Sequence, residues 1–318
     1  MVKRGVGRVL RRPARRRLLQ ALVAIALAVI ASSAPVAVLA RPNDTDDDAK
    51  PMLDRLIERA KSGDAESQYI LGSMYLIGQG VQRNDTEAAR WFHLAGGQGL
   101  VAAQVNLGVM YYNGKGLPQN YAQAAKWFGR AAEQDDAEAE LDLGLMYYKG
   151  EGLPKDDREA VRLFRRAADQ GYAAARYNLA LMYHRGHGVA RNEAEARTWY
   201  RLAAEQGHAN AQYNLGVMYY KGEGGPEDDA EALKWIRRAA EQGLADAQSG
   251  LGQMYANGQV VAQDDIAAYA WLSIAADQGS REAATALGDI EERLTDDQMT
   301  LAEAQKARCV KLKYQDCD

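Results

Sequence analysis

The sequence predicts an all-α fold, a solenoid of stacked antiparallel helix pairs built on a 36-residue repeat. Three observations carry that expectation: a strict phase of identical residues, helical spacing of apolar positions within each unit, and capping residues at fixed offsets. Leu71, Leu107, Leu143, Leu179, Leu215, Leu251 and Leu287 are 36 residues apart. Gly72, Gly108, Gly144, Gly216, Gly252 and Gly288 follow them, with Ala180 as the one substitution. Met74 to Met254 and Tyr75 to Tyr255 keep the same step. Trp91, Trp127, Trp199, Trp235 and Trp271 are all five tryptophans and share one phase, with Leu163 in the sixth slot; Phe92, Phe128 and Phe164 are all three phenylalanines and occupy the next.

Each unit reads as two helices. In the second unit Ala103, Leu107, Met110 and Tyr111 fall on one helical face. Gly114-Lys115-Gly116 ends that helix, because glycine tolerates the left-handed position after a helix. Asn84, Asn120, Asp156, Asn192 and Asp228 start the second helices, each followed three residues later by Glu or Gln, in the manner of a capping box. Ala124, Trp127, Phe128 and Ala131 form the buried stripe of the second helix. Alanine at 88, 124, 160, 196, 232 and 268 lets helices approach closely while the large side chains fill the space beside them. One such hairpin cannot bury its own apolar face, so stability comes from stacking.

The remaining elements follow in order. Residues 1–40 hold eight Lys/Arg and no Asp/Glu. A basic start, an apolar run from Leu18 to Ala31, breakers at Ser32, Ser33 and Pro35, and small residues before Arg41 give the layout of a secretory signal peptide cleaved after Ala40. The rival is a membrane anchor over residues 18–40. Without residues 1–40 the chain has 31 Lys/Arg and 43 Asp/Glu, a net charge of −12 in place of −4, which argues against nucleic acid as a partner. Residues 41–51 read as a flexible acidic linker. Asp44, Asp46 and Asp48 imitate half a calcium loop, but Ala49 and Arg55 stand where it needs Gly and Glu. A cap helix is expected over 52–63, then six repeats at 64–99, 100–135, 136–171, 172–207, 208–243 and 244–279. Residues 280–318 read as a partial seventh repeat and a C-terminal cap helix, started by Thr295 with Gln298 and carrying Met299, Ala302, Val310 and Leu312 on its apolar side.

The pattern Ala-x3-Leu-Gly-x-Met-Tyr, then Gly-x-Gly, Ala-x2-Trp and Ala-Ala-x-Gln-Gly resembles Sel-1-like repeats, relatives of the tetratricopeptide repeat. The resemblance implies a right-handed α-solenoid and a role in binding other proteins, as an adaptor or regulator. Some proteins resembling this family have been linked to β-lactam hydrolysis. That chemistry needs a nucleophilic Ser with Lys three residues on, and no Ser here has one. An enzyme is not expected, and neither a cofactor nor a catalytic residue is assigned.

His184 and His187 are spaced like half a metal site, but no cysteine lies near to complete it, so no metal is expected. Cys309 and Cys317 are the only cysteines. Export implies an oxidising compartment in which such a pair tends to close. On one continuous helix their Cα atoms would be about 12 Å apart, whereas a disulfide needs roughly 7 Å or less. The helix is therefore expected to end near residues 311–314, with the tail folded back.

A curved array of helix pairs lines its concave side with first helices. Resemblance to tetratricopeptide proteins points to Tyr112 and Asn113, Tyr148 and Lys149, His184 and Arg185, and Tyr220 and Lys221 as groove-lining residues. An aromatic or His beside a cation in the middle units suits an extended peptide carrying carboxylates, with Asn106, Asn178 and Asn214 adding amide hydrogen bonds. The expected function is an exported scaffold, periplasmic or secreted, that binds another protein or a peptide in the bacterial envelope. The alternative is a binder of cell-wall glycan or peptidoglycan fragments. Contact with the membrane is expected only through an uncleaved signal segment.

Overall fold

The computed structural model describes residues 46–258, 260–315 and 317. The signal segment 1–40, with Ala40, and residues 41–45 lie outside the described residues. Those described form fifteen helices and no strand. None of these helices is long and apolar enough to cross a membrane. The chain divides into two compact units after Gln98.

The first unit holds α1 (Asp46–Lys61), α2 (Ala65–Ile77) and α3 (Asp85–Gly97). Helix α1 begins at Asp46, inside the stretch expected to be a flexible linker, and not at Met52. Near its other end Ala60 packs with Leu71 and Trp91, which anchors it to the repeat that follows. The Gln68 amide donates to the carbonyl of Ala60 (3.0 Å) and so satisfies a buried side chain and a helix-end acceptor together.

The second unit stacks five complete pairs. They are α4 (Val101–Asn113) with α5 (Tyr121–Ala132), α6 (Ala137–Lys149) with α7 (Asp157–Asp169), α8 (Ala173–Arg185) with α9 (Glu193–Glu205), α10 (Ala209–Lys221) with α11 (Asp229–Glu241), and α12 (Ala245–Asn257) with α13 (Asp265–Asp277). The repeated glycine explains their close approach. A Cβ built on Gly108 would stand 2.5 Å from the Phe128 ring, and one on Gly144 would stand 2.7 Å from Phe164. Each pair thus presses an aromatic or branched side chain of the second helix onto bare backbone of the first. Ala180 is the exception, and its pair keeps a fully buried Tyr200 in the corresponding slot.

Loop geometry is equally regular. Gly150 is left-handed after α6, and its N–H donates to the Met146 carbonyl (2.8 Å). The next loop glycine, Gly152, lies against the backbone of Tyr121, which leaves no room for a side chain. The second helices start with the expected Asn or Asp accepting from the backbone at its third residue, as Asn120 does from Gln123 (3.0 Å). The reciprocal half of the capping box is replaced. The N–H of Asn120 donates to the Tyr111 carbonyl (2.9 Å), and Asp156 and Asn192 do the same to Tyr147 and Tyr183 (both 3.0 Å). One bond thus satisfies an orphan donor of the second helix and an orphan acceptor of the first. The freed carboxylates turn elsewhere: Glu231 accepts from Trp235 (2.8 Å). The reciprocal box does form where no such tyrosine precedes, at Thr295 and Gln298.

Successive pairs are tied by repeated polar contacts. Gln134 donates to Gln104 (2.9 Å), Gln242 to Gln212 (2.6 Å) and Gln278 to Gln248 (2.5 Å). Glu140 takes the place of a glutamine in this ladder. It is fully buried, accepts from Gln170 (3.0 Å) and pairs with Arg166 (2.7 Å). Arg201 reaches the hydroxyl of Tyr219 (2.9 Å) and Arg237 that of Tyr255 (2.7 Å), which links each second helix to the next first helix.

The array ends with α14 (Arg281–Glu291) and α15 (Asp296–Lys311). Helix α15 packs on α13, with Lys306 pairing Asp277 (3.1 Å) and Tyr269 donating to Glu303. It buries Ala302 and Cys309, seven residues apart on one face. Val310 and Leu312, expected on the apolar side, are instead 50% and 44% exposed. A one-residue step turns a side chain by about 100°, so Val310 leaves the face that Cys309 occupies.

Candidate binding face

The first helices of the second unit present their C-terminal turns side by side. The turns carry Tyr112 and Asn113 on α4, Tyr148 and Lys149 on α6, His184 and Arg185 on α8, and Tyr220 and Lys221 on α10. The aromatic members are only partly available. Tyr112 donates to Glu151 (2.6 Å) and accepts from Lys149 (3.2 Å), and Lys149 also pairs with Glu151 (3.6 Å). Tyr148 lies 3.4 Å from Nδ1 of His187, and the two rings stack at 6.0 Å. In both cases the partner is the middle residue of the Gly-x-Gly loop one repeat on. The aromatic end of each of these helices therefore braces the next loop, and the aromatic–cation pair forms between repeats, not within one.

His184 and His187 engage different neighbours. The His184 ring approaches Tyr200 at 6.5 Å, and its Nδ1 is buried without a hydrogen-bond partner. No cluster of three or more candidate metal ligands occurs among the described residues. Tyr220 is 39% exposed. Asn113 donates back to Val109 (2.9 Å) and Asn178 to Ala174 (2.8 Å), so both amides are held along their own helices. Asn214 is hydrogen-bonded to Tyr177 and Tyr200.

Two cations stay uncommitted. Arg185 and Lys221 are exposed and make no ion pair with any described residue. Beside Arg185, a notch of ≈ 30 Å³ is lined by Tyr148, Phe164, Asn178, Leu181, Met182 and the arginine itself. That is room for at least one water.

The other half of the face has opposite polarity. Asp142 occupies the position held by Asn106, Asn178 and Asn214 in other repeats. Burial, then the neighbouring charge of Glu138, pushes its carboxyl up to about 7, against the opposing pull of Lys149. Burial and Asp136 also raise Glu138. Tyr172, at the start of α8, is pushed up to about 12 by burial and then by Glu138 and Asp142. Sequence reasoning passed over this acidic patch, although one signal was available: an acid in a column of asparagines.

The Cys pair lies at the far end of the unit. Helix α15 stops at Lys311, Lys313 and Tyr314 take left-handed backbone, and the chain returns. Cys317 is joined to Cys309, with Cα atoms 4.7 Å apart. Gln305 donates to the Cys317 carbonyl (2.7 Å), and Gln315 donates to Glu241 at the end of α11 (3.1 Å).

With this geometry in view, the Sel1 repeat family pattern matches residues 65–100, 101–136, 137–172, 173–208, 209–244 and 245–280. The chain belongs to the Sel1 repeat family. Its solved relatives agree. A Sel1 repeat protein from Oxalobacter formigenes is 32% identical, with a TM-score of 0.62, over 70% of this chain and 96% of that one. The protective antigen c5321, which is present in uropathogenic Escherichia coli strains and displays an SLR fold, is 30% identical with a TM-score of 0.57, over 83% of this chain and 65% of that one. A comparison with curated proteins finds no match. As a Sel1 repeat protein the chain is an all-α solenoid of a scaffold family whose general role is protein–protein interaction.

Proposed function

We propose that this Sel1 repeat chain is an exported scaffold that captures another envelope protein, or an extended peptide carrying carboxylates, on its first-helix face. The observation that carries this reading is the pair of exposed cations, Arg185 and Lys221, one repeat apart, the first of them at the edge of a small notch. A cation without an internal partner keeps its charge available for a ligand, and a planar guanidinium suits a carboxylate. The joined cysteines support export, because such pairs persist in oxidising compartments.

Within the expected groove the weight shifts from Tyr112, Tyr148 and Lys149, which brace neighbouring loops, to Arg185 and Lys221. The test is chemical crosslinking of the full-length protein in its native envelope, followed by mass spectrometry, for wild type and the double variant Arg185→Ala/Lys221→Ala. One or more crosslinked proteins should be lost from the variant while its helical circular dichroism stays unchanged. Equal capture by both would refute this placement. Retention on isolated peptidoglycan, with no protein crosslink, would favour the cell-wall reading instead.

A further inference from the structure

The array ends on a first helix that has no second helix of its own. In the pairs that keep the repeated glycine, the second helix covers it with the residue eight past its N-cap: Phe128 over Gly108, Phe164 over Gly144, Ile236 over Gly216 and Leu272 over Gly252. Helix α14 carries the same pattern in Leu287 and Gly288. There a Cβ on the glycine meets nothing within 4 Å. Gly288 and Ala284 are exposed and Leu287 is half-buried, whereas Leu107, Leu215 and Leu251 are fully buried. These three residues of α14 lie on one helical face. Gly288 weakens the helix and serves no close contact within this chain.

The sequence of α15 explains the open face. Counted from the N-cap Thr295, the positions held by Ala, Trp, Leu and Ala in α13 are held by Met299, Ala302, Glu303 and Lys306. A bulky residue stands where a small one is needed, and charges stand where apolar side chains are needed. A carboxylate pressed onto the bare backbone of Gly288 would lose its water without gaining a partner. Glu303 and Lys306 find partners on α13 instead, in Tyr269 and Asp277 (3.1 Å for the ion pair). Helix α15 accordingly packs on α13 and not back on α14.

The internal pairs define what fits the open face, because each makes the missing interface. The occupant is an antiparallel helix with Ala, large apolar residues three and four further on, and Ala at seven, as in Ala124, Trp127, Phe128 and Ala131. Charge distinguishes it from the chain's own helices. Exposed Glu291 and Glu292 stand where the preceding first helix has Tyr255 and Ala256. The next residue, Arg293, is drawn away to Asp265 (2.8 Å). Within the array the N-cap N–H of a second helix donates to the carbonyl at the phase of Glu291, as Asp264 does to Tyr255 (3.1 Å). A docked helix therefore starts beside two carboxylates, which favour Lys or Arg in its first turn. Helices α7, α9 and α11 each begin with two acids, which disfavours a second copy of this chain.

We propose that α14 docks an amphipathic helix of another protein, with a basic first turn and that alanine–apolar spacing, whose large side chain covers Gly288. The partner completes a seventh pair. The site is separate from Arg185 and Lys221 and does not depend on them.

The test is fluorescence anisotropy with the full-length protein and a stapled, fluorescein-labelled helical peptide of residues 120–134 carrying Tyr121→Arg and Ala122→Arg. Wild type should bind it, and either Phe128→Ala in the peptide or Gly288→Gln in the protein should weaken binding about tenfold. Gly288→Gln has room in the free protein and favours the helix, so the fold is kept. Glu291→Lys/Glu292→Lys should weaken this peptide about fivefold and strengthen a stapled peptide of residues 228–242, which begins with acids. No binding, or binding indifferent to Phe128→Ala or to Gly288→Gln, would overturn the site. Indifference to the charge reversal would overturn the basic first turn. A dimer in sedimentation that Gly288→Gln abolishes would overturn the proposal in favour of a second copy.

Discussion

Gly108 and Gly288 occupy the same place in the repeat but have different neighbours, and the contrast isolates what the glycine is for. A methyl group on Gly108 would press into Phe128, whereas one on Gly288 meets nothing within 4 Å. Gly108→Ala should destabilise the array by about 1–3 kcal/mol through overpacking. Gly288→Ala should be neutral or stabilise by up to about 1 kcal/mol, since alanine favours a helix. Thermal denaturation followed by circular dichroism ranks the two; equal and opposite shifts in the reverse order would refute the close-packing account. Asp142 supplies a second test at this scale. Its folded pKa is raised, to about 7, so its favourable contribution is complete below its unfolded pKa and is lost as pH rises towards 7. Asp142→Asn, which restores the residue found at Asn106 and Asn178, should raise stability at pH 8 by about 1–2 kcal/mol, allowing for partial exposure, and by little at pH 4. A melting temperature that rises equally at both pH values would contradict this.

At the scale of elements, the helix pairs were legible because every unit repeats the same solution. Leu107 and Met110 are buried where Leu143 and Met146 are, and the left-handed glycine closes each first helix. What the repeat pattern hid was contact between repeats. Tyr112 and Glu151, or Tyr148 and His187, meet because of the offset between stacked pairs. The partner is the middle residue of the Gly-x-Gly loop, which changes from repeat to repeat, so no internal phase marks it. For the same reason the expected groove mixed bracing residues with available ones. The start of α1 was missed because a polar, Asp-rich run looks like a linker unless the apolar neighbours of Ala60 are known. The C-terminal clamp allows an element-scale prediction. Closing an eight-residue loop between Cys309 and Cys317 should stabilise the cap by about 2–3 kcal/mol. Cys309→Ser or reduction should release residues 312–317 from Glu241 and raise their hydrogen exchange, with α4 to α9 unchanged. An unchanged tail would show that the packing of Tyr314 on Gly243 suffices without the bond.

For the whole molecule, the net charge of −12 beyond residue 40 and the first-helix face belong to one account. An acidic scaffold that exposes a few uncommitted cations on one face discriminates by position, because its remaining surface repels the carboxylates those cations attract. The account also requires maturation: intact mass of the protein isolated from the envelope should correspond to residues 41–318, and a mass that retains residues 1–40 would support the anchored alternative. The central claim, that the first-helix face captures a partner, is tested most directly by site-specific photocrosslinking in the native envelope. A photoreactive residue at position 113, exposed on that face and outside the cation pair, is compared with one at the exposed Thr198 of α9. A discrete protein adduct is expected at 113 and none at 198. Adducts at 198 alone, or none at either position, would contradict it.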